Sequence, residues 1–377
     1  MTRISRVEII GGGPAGLYTA ILLRRLLPSI EVRVTEQNPQ GATFGFGVVF
    51  SDQALEFLKK DDPETHALVT PQMERWTNMT LNLPGDRIVI DGVGFTSIGR
   101  LALIEILRER AESLGASIEM ERRVESLDEV DADLVVGADG LNSLVRQSLE
   151  SEFCPSIEYL NNHFAWFGAD RPFDTLTQTF VRTDKGALNA HHYRYNPGMS
   201  TFLVECDDAT FQRYGFASMD ERESVAVSQE VFADVLEGAS LITNRSNWRQ
   251  FPKLWCEKWT SGRYALMGDA VHTAHYSIGS GTRLAMEDAI ALSRALAAHD
   301  DLEAAFAAYQ SERAPIARKI FNAANTSAHW YENYAERMSL PPLEFAYEYI
   351  NRSGRMDLER LRRTAPNFMK RYESQGG

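Results

Sequence analysis

Ile9-Ile10-Gly11-Gly12-Gly13-Pro14-Ala15-Gly16-Leu17 is the stretch on which the reading of this 377-residue chain turns. The apolar run Val7, Ile9, Ile10 predicts a strand, the glycines a sharp turn, and the spacing from Ala15 to Leu27 a helix. In a G-x-G-x-x-G turn the first glycine (Gly11) permits the bend, the second (Gly13) admits a pyrophosphate to the backbone, and the third (Gly16) packs helix on strand. Ala15 lies inside the same turn, and the helix N-terminus behind it offers free N–H groups to phosphates. A second predicted strand, Glu31-Val32-Arg33-Val34-Thr35, ends at Glu36, about twenty residues beyond Gly16, where a carboxylate accepts from ribose hydroxyls. The alternative is an incidental glycine-rich loop. Strand, turn, helix and acid together favour a dinucleotide site.

Composition sets the outer limits. The length accommodates one large domain or two interleaved ones, and 44% hydrophobic residues is ordinary for a globular protein. There is no apolar stretch of membrane-spanning length and no room for a leader before the first strand, so the expectation is a cytoplasmic protein without a membrane partner. The three cysteines, Cys154, Cys206 and Cys256, are scattered and predict neither disulfide nor metal site. A net charge of −13 argues against nucleic-acid binding, which needs a basic face. A local basic pocket for an anionic small molecule is compatible with it.

Outward from the first motif, Gly41 to Asp52 carries three glycines among aromatic and β-branched residues. Gly45 and Gly47 either let the backbone pass close to a ring system that Phe44 and Phe46 cover, or form a tight turn feeding a strand. Gln53 to Lys60 reads as a short helix, and alternation around Pro84-Gly85-Asp86 as a hairpin leaving the first domain. Ser97-Ile98-Gly99-Arg100 opens a helix in this reading. A strand over Asp133–Val136 runs into Gly137-Ala138-Asp139-Gly140-Leu141-Asn142-Ser143-Leu144-Val145-Arg146, the kind of strand-to-helix turn where ligands bind. There Asp139 accepts from a sugar hydroxyl and Gly140 permits the turn; otherwise Asp139 is a helix cap and Arg146 a surface ion pair.

From Ile157 to Trp259, aromatic and β-branched segments predict an antiparallel sheet. Gly262 to Ala270 returns to a strand ending in Gly268-Asp269, and Gly279, Gly281 and Thr282 precede or open a helix whose N-terminus is another anion or carbonyl site. The chain beyond Asp301 is expected to be helical, broken at Pro315 and Pro341-Pro342. The predicted fold is therefore α/β: a discontinuous Rossmann-like cofactor domain (1–72, 91–156 and 260–300), an interleaved antiparallel-sheet substrate domain (73–90 and 157–259) and a C-terminal helical region (301–377).

Gly11–Gly16 with Glu36, Asp139-Gly140-x-x-Ser143-x-x-Arg146 and Gly268-Asp269, in that order, resemble the class A FAD-dependent aromatic hydroxylases of the para-hydroxybenzoate hydroxylase type. The resemblance implies FAD as cofactor, Glu36 on the adenosine ribose, Arg100 and Asp139 near the ribose and pyrophosphate, and Asp269 on the ribityl chain. It also implies NADH or NADPH as a transient co-substrate, O₂ as oxidant, and hydroxylation through a C4a-hydroperoxyflavin. In place of the family's Pro-rich segment after Gly-Asp-Ala-x-His stands Thr273-Ala-His275-Tyr276-Ser277-Ile-Gly-Ser-Gly-Thr. With Gly45-Phe-Gly-Val-Val-Phe, Met199-Ser-Thr-Phe-Leu-Val-Glu and Asn322-Ala-Ala-Asn-Thr-Ser, this is similar to a narrower branch. The branch holds the salicylyl-CoA 5-hydroxylases, the 2-aminobenzoyl-CoA monooxygenases and, more distantly, the hydroxylase of violacein synthesis. An end at Gly377 fits the stand-alone salicylyl-CoA type, acting as monomer or homodimer on an aryl-CoA thioester.

Hydroxylation para to a phenol is helped by an acceptor for the phenolic proton. The candidates are His275, which leads because it adjoins the implied flavin edge, then Tyr276, His191 and His192. Tyr193 and Tyr195 either line the pocket or build the sheet. Coenzyme A calls for a groove with basic residues, for which Arg75, Arg87, Arg182 and Arg194 are candidates. Trp330 and Tyr331 are expected to pack.

Overall fold

The computed structural model describes residues 4–51 and 55–375. The strand Arg6–Ile10 sits inside a six-stranded sheet, paired in parallel with Glu31–Thr35 on one side and Leu134–Gly137 on the other. Ser117–Glu119 and Tyr264–Leu266 extend it in parallel on either flank, and Thr260–Ser261 closes one edge antiparallel. All four residues from Val7 to Ile10 are buried, as expected of a strand covered on both faces. The helix Pro14–Leu26 packs on this sheet, with its last turn exposed at Leu26. The helix expected from Gln53 runs from Glu56 to Asp61; its expected start lies outside the described residues.

The second sheet has eight strands, built on the long strand Pro155–Ala169, which pairs antiparallel with both Ser200–Cys206 and Arg249–Cys256. The hairpin Met79–Leu83/Asp86–Ile90 joins it through a parallel pairing with Leu176–Thr183, a departure from a purely antiparallel sheet. A three-stranded sheet of Gly47–Ser51, Phe95–Gly99 and Glu74–Trp76 connects the two. Ser97–Gly99 is thus the end of a strand, and the helix starts at Arg100. The boundary expected at residue 157 falls inside the strand Pro155–Ala169. Likewise Leu254, Trp255 and Cys256, on a strand of the second sheet, are buried in the core of the first.

Pro315 does not break the C-terminal region: one helix runs from Leu302 to Glu332 straight through it. An interior proline removes one backbone hydrogen bond and costs about 3 kcal/mol. Burial of Phe306, Tyr309, Ile320, Trp330 and Tyr331 along the same helix outweighs that. Pro342 occupies the first turn of the next helix, Pro342–Asn351, where its missing N–H is harmless. This helix and those of Leu358–Thr364 and Pro366–Ser374 cover one face of the second sheet, and Trp330 and Tyr331 are packing residues there, against Phe180, Phe345 and Tyr349.

Candidate active site

Three turns meet at the carboxyl ends of the parallel strands. Gly11 adopts φ +109°, and a Cβ there would overlap the Ala138 carbonyl; a Cβ on Gly16 would overlap the Gly11 carbonyl. These two glycines are required by the protein's own packing. Gly13 is different: its φ is −76°, nothing lies within 4 Å of where a Cβ would be, and the helix it begins has no side-chain cap. The open space over uncapped N–H groups is the cradle a pyrophosphate needs. Gly140 and Gly281 likewise face open space, and the helix Gly281–Ala298, with Thr282 in its first turn, also lacks a side-chain cap. Gly268 (φ +56°) approaches Ala15 and Ala285, so the third turn is wedged between the two helices that present these N-termini.

Side chains around this groove retain bonding capacity. Glu36 accepts from the Gly12 N–H (2.7 Å) and the Asn38 N–H (2.8 Å), which fixes its carboxylate beside the turn. Asp139 caps the following helix through the Leu144 N–H (2.7 Å), while its other oxygen is buried without a partner. The Arg100 Nε is also buried and unpartnered, within electrostatic reach of Asp269. Unsatisfied buried polar atoms are rare and call for a partner. The geometry therefore fits FAD.

Several expected contacts are replaced by protein. Arg146 donates to the carbonyls of Leu141 and Ala270 (2.8 Å to the latter), so it staples the Asp139 turn to the Gly268 turn instead of facing a ligand. The space beside Gly45 is filled by Trp166, that beside Gly47 by Tyr195, and Phe46 packs against Gly168. The ring systems that approach these glycines belong to the chain itself. Gly279 (φ +58°) turns against Val49. The Tyr193 hydroxyl donates to the Gly47 carbonyl (2.8 Å), and with Tyr195 it braces that strand.

On the other side of Gly279 lies a cavity of about 210 Å³, lined by Val49, Leu176, His191, Ser277 and Ile278. An apolar cavity of about 150 Å³ admits benzene, so this one, open at its mouth, has room for a single substituted ring. Period-2 alternation along Gly186–Arg194 sends His191 into the cavity and His192 to the opposite face. There His192 bonds Thr179 (2.9 Å) and packs on Phe173 and Phe202, which removes it from the site. The His191 Nε2 is buried without a partner, and burial, with Arg352 nearby, pushes its pKa down to about 3. His275 does not line the cavity; its Nδ1 meets the Ser277 hydroxyl (2.8 Å), which contacts that of Ser327 (2.8 Å). Arg182 and Arg194 are occupied as well, by the Ala335 carbonyl and by Glu74 (2.6 Å).

Comparison with known proteins shows the family of the chain. Residues 5–129 and 128–324 match the FAD binding domain family. Salicyloyl-CoA 5-hydroxylase of a Streptomyces species is 36% identical over 92% of the chain and 70% of its own length. The 3-hydroxy-4-methyl-anthranilyl-[aryl-carrier protein] 5-monooxygenase of Streptosporangium sibiricum is 35% identical over 86% of the chain and 89% of its own length. The chain belongs to the class A FAD-dependent aromatic hydroxylases. Its fold agrees: 2-methyl-3-hydroxypyridine-5-carboxylic acid oxygenase superposes with a TM-score of 0.73 at 20% identity, over 98% of both chains. This aromatic hydroxylase is thus an FAD-dependent monooxygenase. Among the described residues it has no helix long and apolar enough to cross a membrane and no cluster suited to a metal.

Two carboxylates of the hydroxylase lie outside the motifs. Asp288, fully buried on the helix Gly281–Ala298, accepts from the Gly268 N–H (3.1 Å) and the Arg313 Nε (3.0 Å) and meets the His272 Nε2 (2.9 Å). It ties the Gly268-Asp269 turn to both long helices. Glu205 is buried at the end of Ser200–Cys206 and accepts from Asn162 Nδ2 (2.7 Å), while its other oxygen is buried without a hydrogen-bond partner, with the Tyr276 hydroxyl nearby. Burial, opposed by the Asn162 hydrogen bond and the nearby Tyr276 hydroxyl, raises its pKa to about 7. A raised carboxyl pKa favours the folded state below the ordinary carboxylate range and loses that advantage as pH rises through about 7. Glu205→Gln keeps the hydrogen-bonding shape without the charge. It is expected to be more stable than the parent at pH 8.5 by up to about 3 kcal/mol, with the gap closing towards pH 5. Chemical denaturation at the two pH values measures this; equal offsets at both would contradict it.

Proposed function

We propose that this hydroxylase uses NADH or NADPH and O₂ to hydroxylate an aryl-CoA thioester, salicylyl-CoA to gentisyl-CoA. The observation that carries this reading is the 36% identity to salicyloyl-CoA 5-hydroxylase over 92% of the chain. In this reading residues 1–72, 91–156 and 260–300 work as the FAD-binding unit, 73–90 and 157–259 as the substrate unit, and 301–377 as its cover. Gly13, Gly140 and the helix beginning at Gly281 receive the phosphates and flavin carbonyls; Glu36, Asp139, Arg100 and Asp269 bind the ribose, pyrophosphate and ribityl groups. FAD, when bound, supplies the oxygen-activating redox chemistry.

The rest is the chain's own work. The apolar walls at Val49, Leu176 and Ile278 exclude water from the ring. His191, kept neutral, accepts a hydrogen bond from the substrate phenol and so enriches the carbon para to it. His275, Ser277 and Ser327 form a hydroxyl chain that fixes one wall of the cavity.

Stopped-flow flavin reduction by NADH tests the proposal, with salicylyl-CoA, 2-aminobenzoyl-CoA or free salicylate present and product mass taken after oxygen is admitted. Reduction stimulated at least tenfold by salicylyl-CoA, with one oxygen added para to the phenol, is the expected result. Stimulation by 2-aminobenzoyl-CoA alone would overturn the acyl group and keep the thioester class. Stimulation by no thioester would shift the reading to a tryptophan-derived substrate, since Protodeoxyviolaceinate monooxygenase of Chromobacterium violaceum is 31% identical over 91% of the chain and 93% of its own length.

A further inference from the structure

The cavity that begins at His191 ends at solvent among four arginines, Arg283, Arg352, Arg355 and Arg360. In a chain of net charge −13 this is a concentration of one sign that folding alone does not call for. Arg352 is held by the protein: it stacks on Tyr349 at 3.9 Å and donates through its two Nη atoms to the Tyr349 (2.7 Å) and Ser277 (2.6 Å) carbonyls, with only its buried Nε left without a partner, so it forms the inner wall. Arg283 shares its Nε with Glu287 (2.8 Å). Arg355 and Arg360 are exposed at the rim, and among the described residues no carboxylate lies within ion-pair distance of either guanidinium. The nearby Asp357 is engaged as a helix cap on the Arg360 N–H (2.7 Å). Partial burial and the like charges of Arg283 and Arg360 lower the pKa of Arg355, which marks the three as mutual neighbours in want of an anion. Planar guanidinium groups bind phosphate oxygens in bidentate fashion.

We infer that Arg283, Arg355 and Arg360 bind the phosphates of the substrate's thioester arm at the cavity mouth while the aryl ring lies against His191. The inference rests on the thioester reading above. The shared ligand chemistry is a phosphorylated pantetheine, carried either by coenzyme A, with its diphosphate and 3′-phosphate, or as 4′-phosphopantetheine alone. It also explains why Arg355 and Arg360 sit on the C-terminal cover, facing Arg283 on the helix Gly281–Ala298: an arm leaving the cavity has to pass between them.

The test uses the full-length, FAD-loaded protein and the double variant Arg355→Glu/Arg360→Glu. Calorimetric titration with free coenzyme A and with 4′-phosphopantetheine, and KM for salicylyl-CoA, are the readouts. The expected result is a KM at least tenfold higher with kcat within twofold, and loss of coenzyme A binding of similar size. Weakening of both ligands assigns the site to the pantetheine phosphate, and weakening of coenzyme A alone to the nucleotide phosphates. Arg355→Gln, which only neutralises, is expected to raise KM about threefold and serves if the double variant misfolds. Turnover of the thioester with KM unchanged in both variants would overturn the arginine site and leave the function standing. Arginine-dependent coenzyme A binding without thioester turnover would do the reverse. Absence of coenzyme A binding to the parent protein would overturn the site.

Discussion

Gly13→Val is expected to give a folded protein that purifies without its yellow colour, with FAD affinity reduced at least a hundredfold, about 3 kcal/mol. The φ of −76° at Gly13 is one that any residue adopts, and no protein atom lies within 4 Å of the added Cβ. The fold therefore tolerates valine. What it fills is the space above the uncapped first turn of Pro14–Leu26, where the pyrophosphate has to approach the backbone. Gly16→Val is the informative contrast, because its Cβ would overlap the Gly11 carbonyl and the helix would separate from the strand. That variant is expected to lose soluble expression, whereas Gly13→Val keeps it. Flavin absorbance per mole of purified protein, with circular dichroism as a check on folding, measures both; stoichiometric FAD in Gly13→Val would place the cofactor elsewhere.

Asp288→Ala is expected to cost about 3–5 kcal/mol of stability, the usual consequence of removing one partner from a buried ion pair. The substitution strands the Arg313 guanidinium, only 4% exposed, and frees the Gly268 N–H. Glu287, 3.2 Å from Arg313, offsets part of the loss. Burial acts to raise the Asp288 pKa, but His272, Arg313 and the Gly268 N–H outweigh it and hold the carboxyl below its ordinary value. The Asp288 contribution is therefore fully present above the ordinary carboxylate range and is lost as pH falls through the depressed value. Urea denaturation at pH 7 and pH 3 checks this: a large gap between parent and variant at neutral pH should narrow in acid. A gap that widens in acid would mean that Asp288 is held protonated.

The cofactor half of the protein was legible because its chemistry is local in the chain. Gly11, Gly13, Gly16 and Glu36 fall within one strand-turn-helix-strand unit, and their spacing alone sets the geometry of the first turn. The substrate half was much less so. Only pairing register decides that His191 and not His192 faces the cavity. Gly45 and Gly47 are small for the sake of Trp166 and Tyr195, more than a hundred residues away. Asp288 did leave a signal, an acid among Leu284, Ala291 and Leu292 on a buried helix, and so did Glu205, an acid in a strand of apolar and β-branched residues. Arg352, Arg355 and Arg360 of the cavity mouth looked like an ordinary charged C-terminus, since nothing in their spacing shows that the helices they flank return to the cavity beside Arg283.

The interleaved order of the chain governs when the protein can mature. Arg6–Ile10 is made first, but Tyr264–Leu266, the Gly268 turn and Asp288 follow only after about 250 further residues. At ribosomal rates of about 5–20 residues per second, the first strand waits roughly ten to fifty seconds for the groove to be completed. During that time the apolar face of Pro14–Leu26 has no Gly281–Ala298 to pack against. With the proposed cofactor residues drawn from both ends of this order, flavin loading is expected only after most of the polypeptide is made, and riboflavin supply during expression should alter the fraction of active molecules more than the amount of protein made.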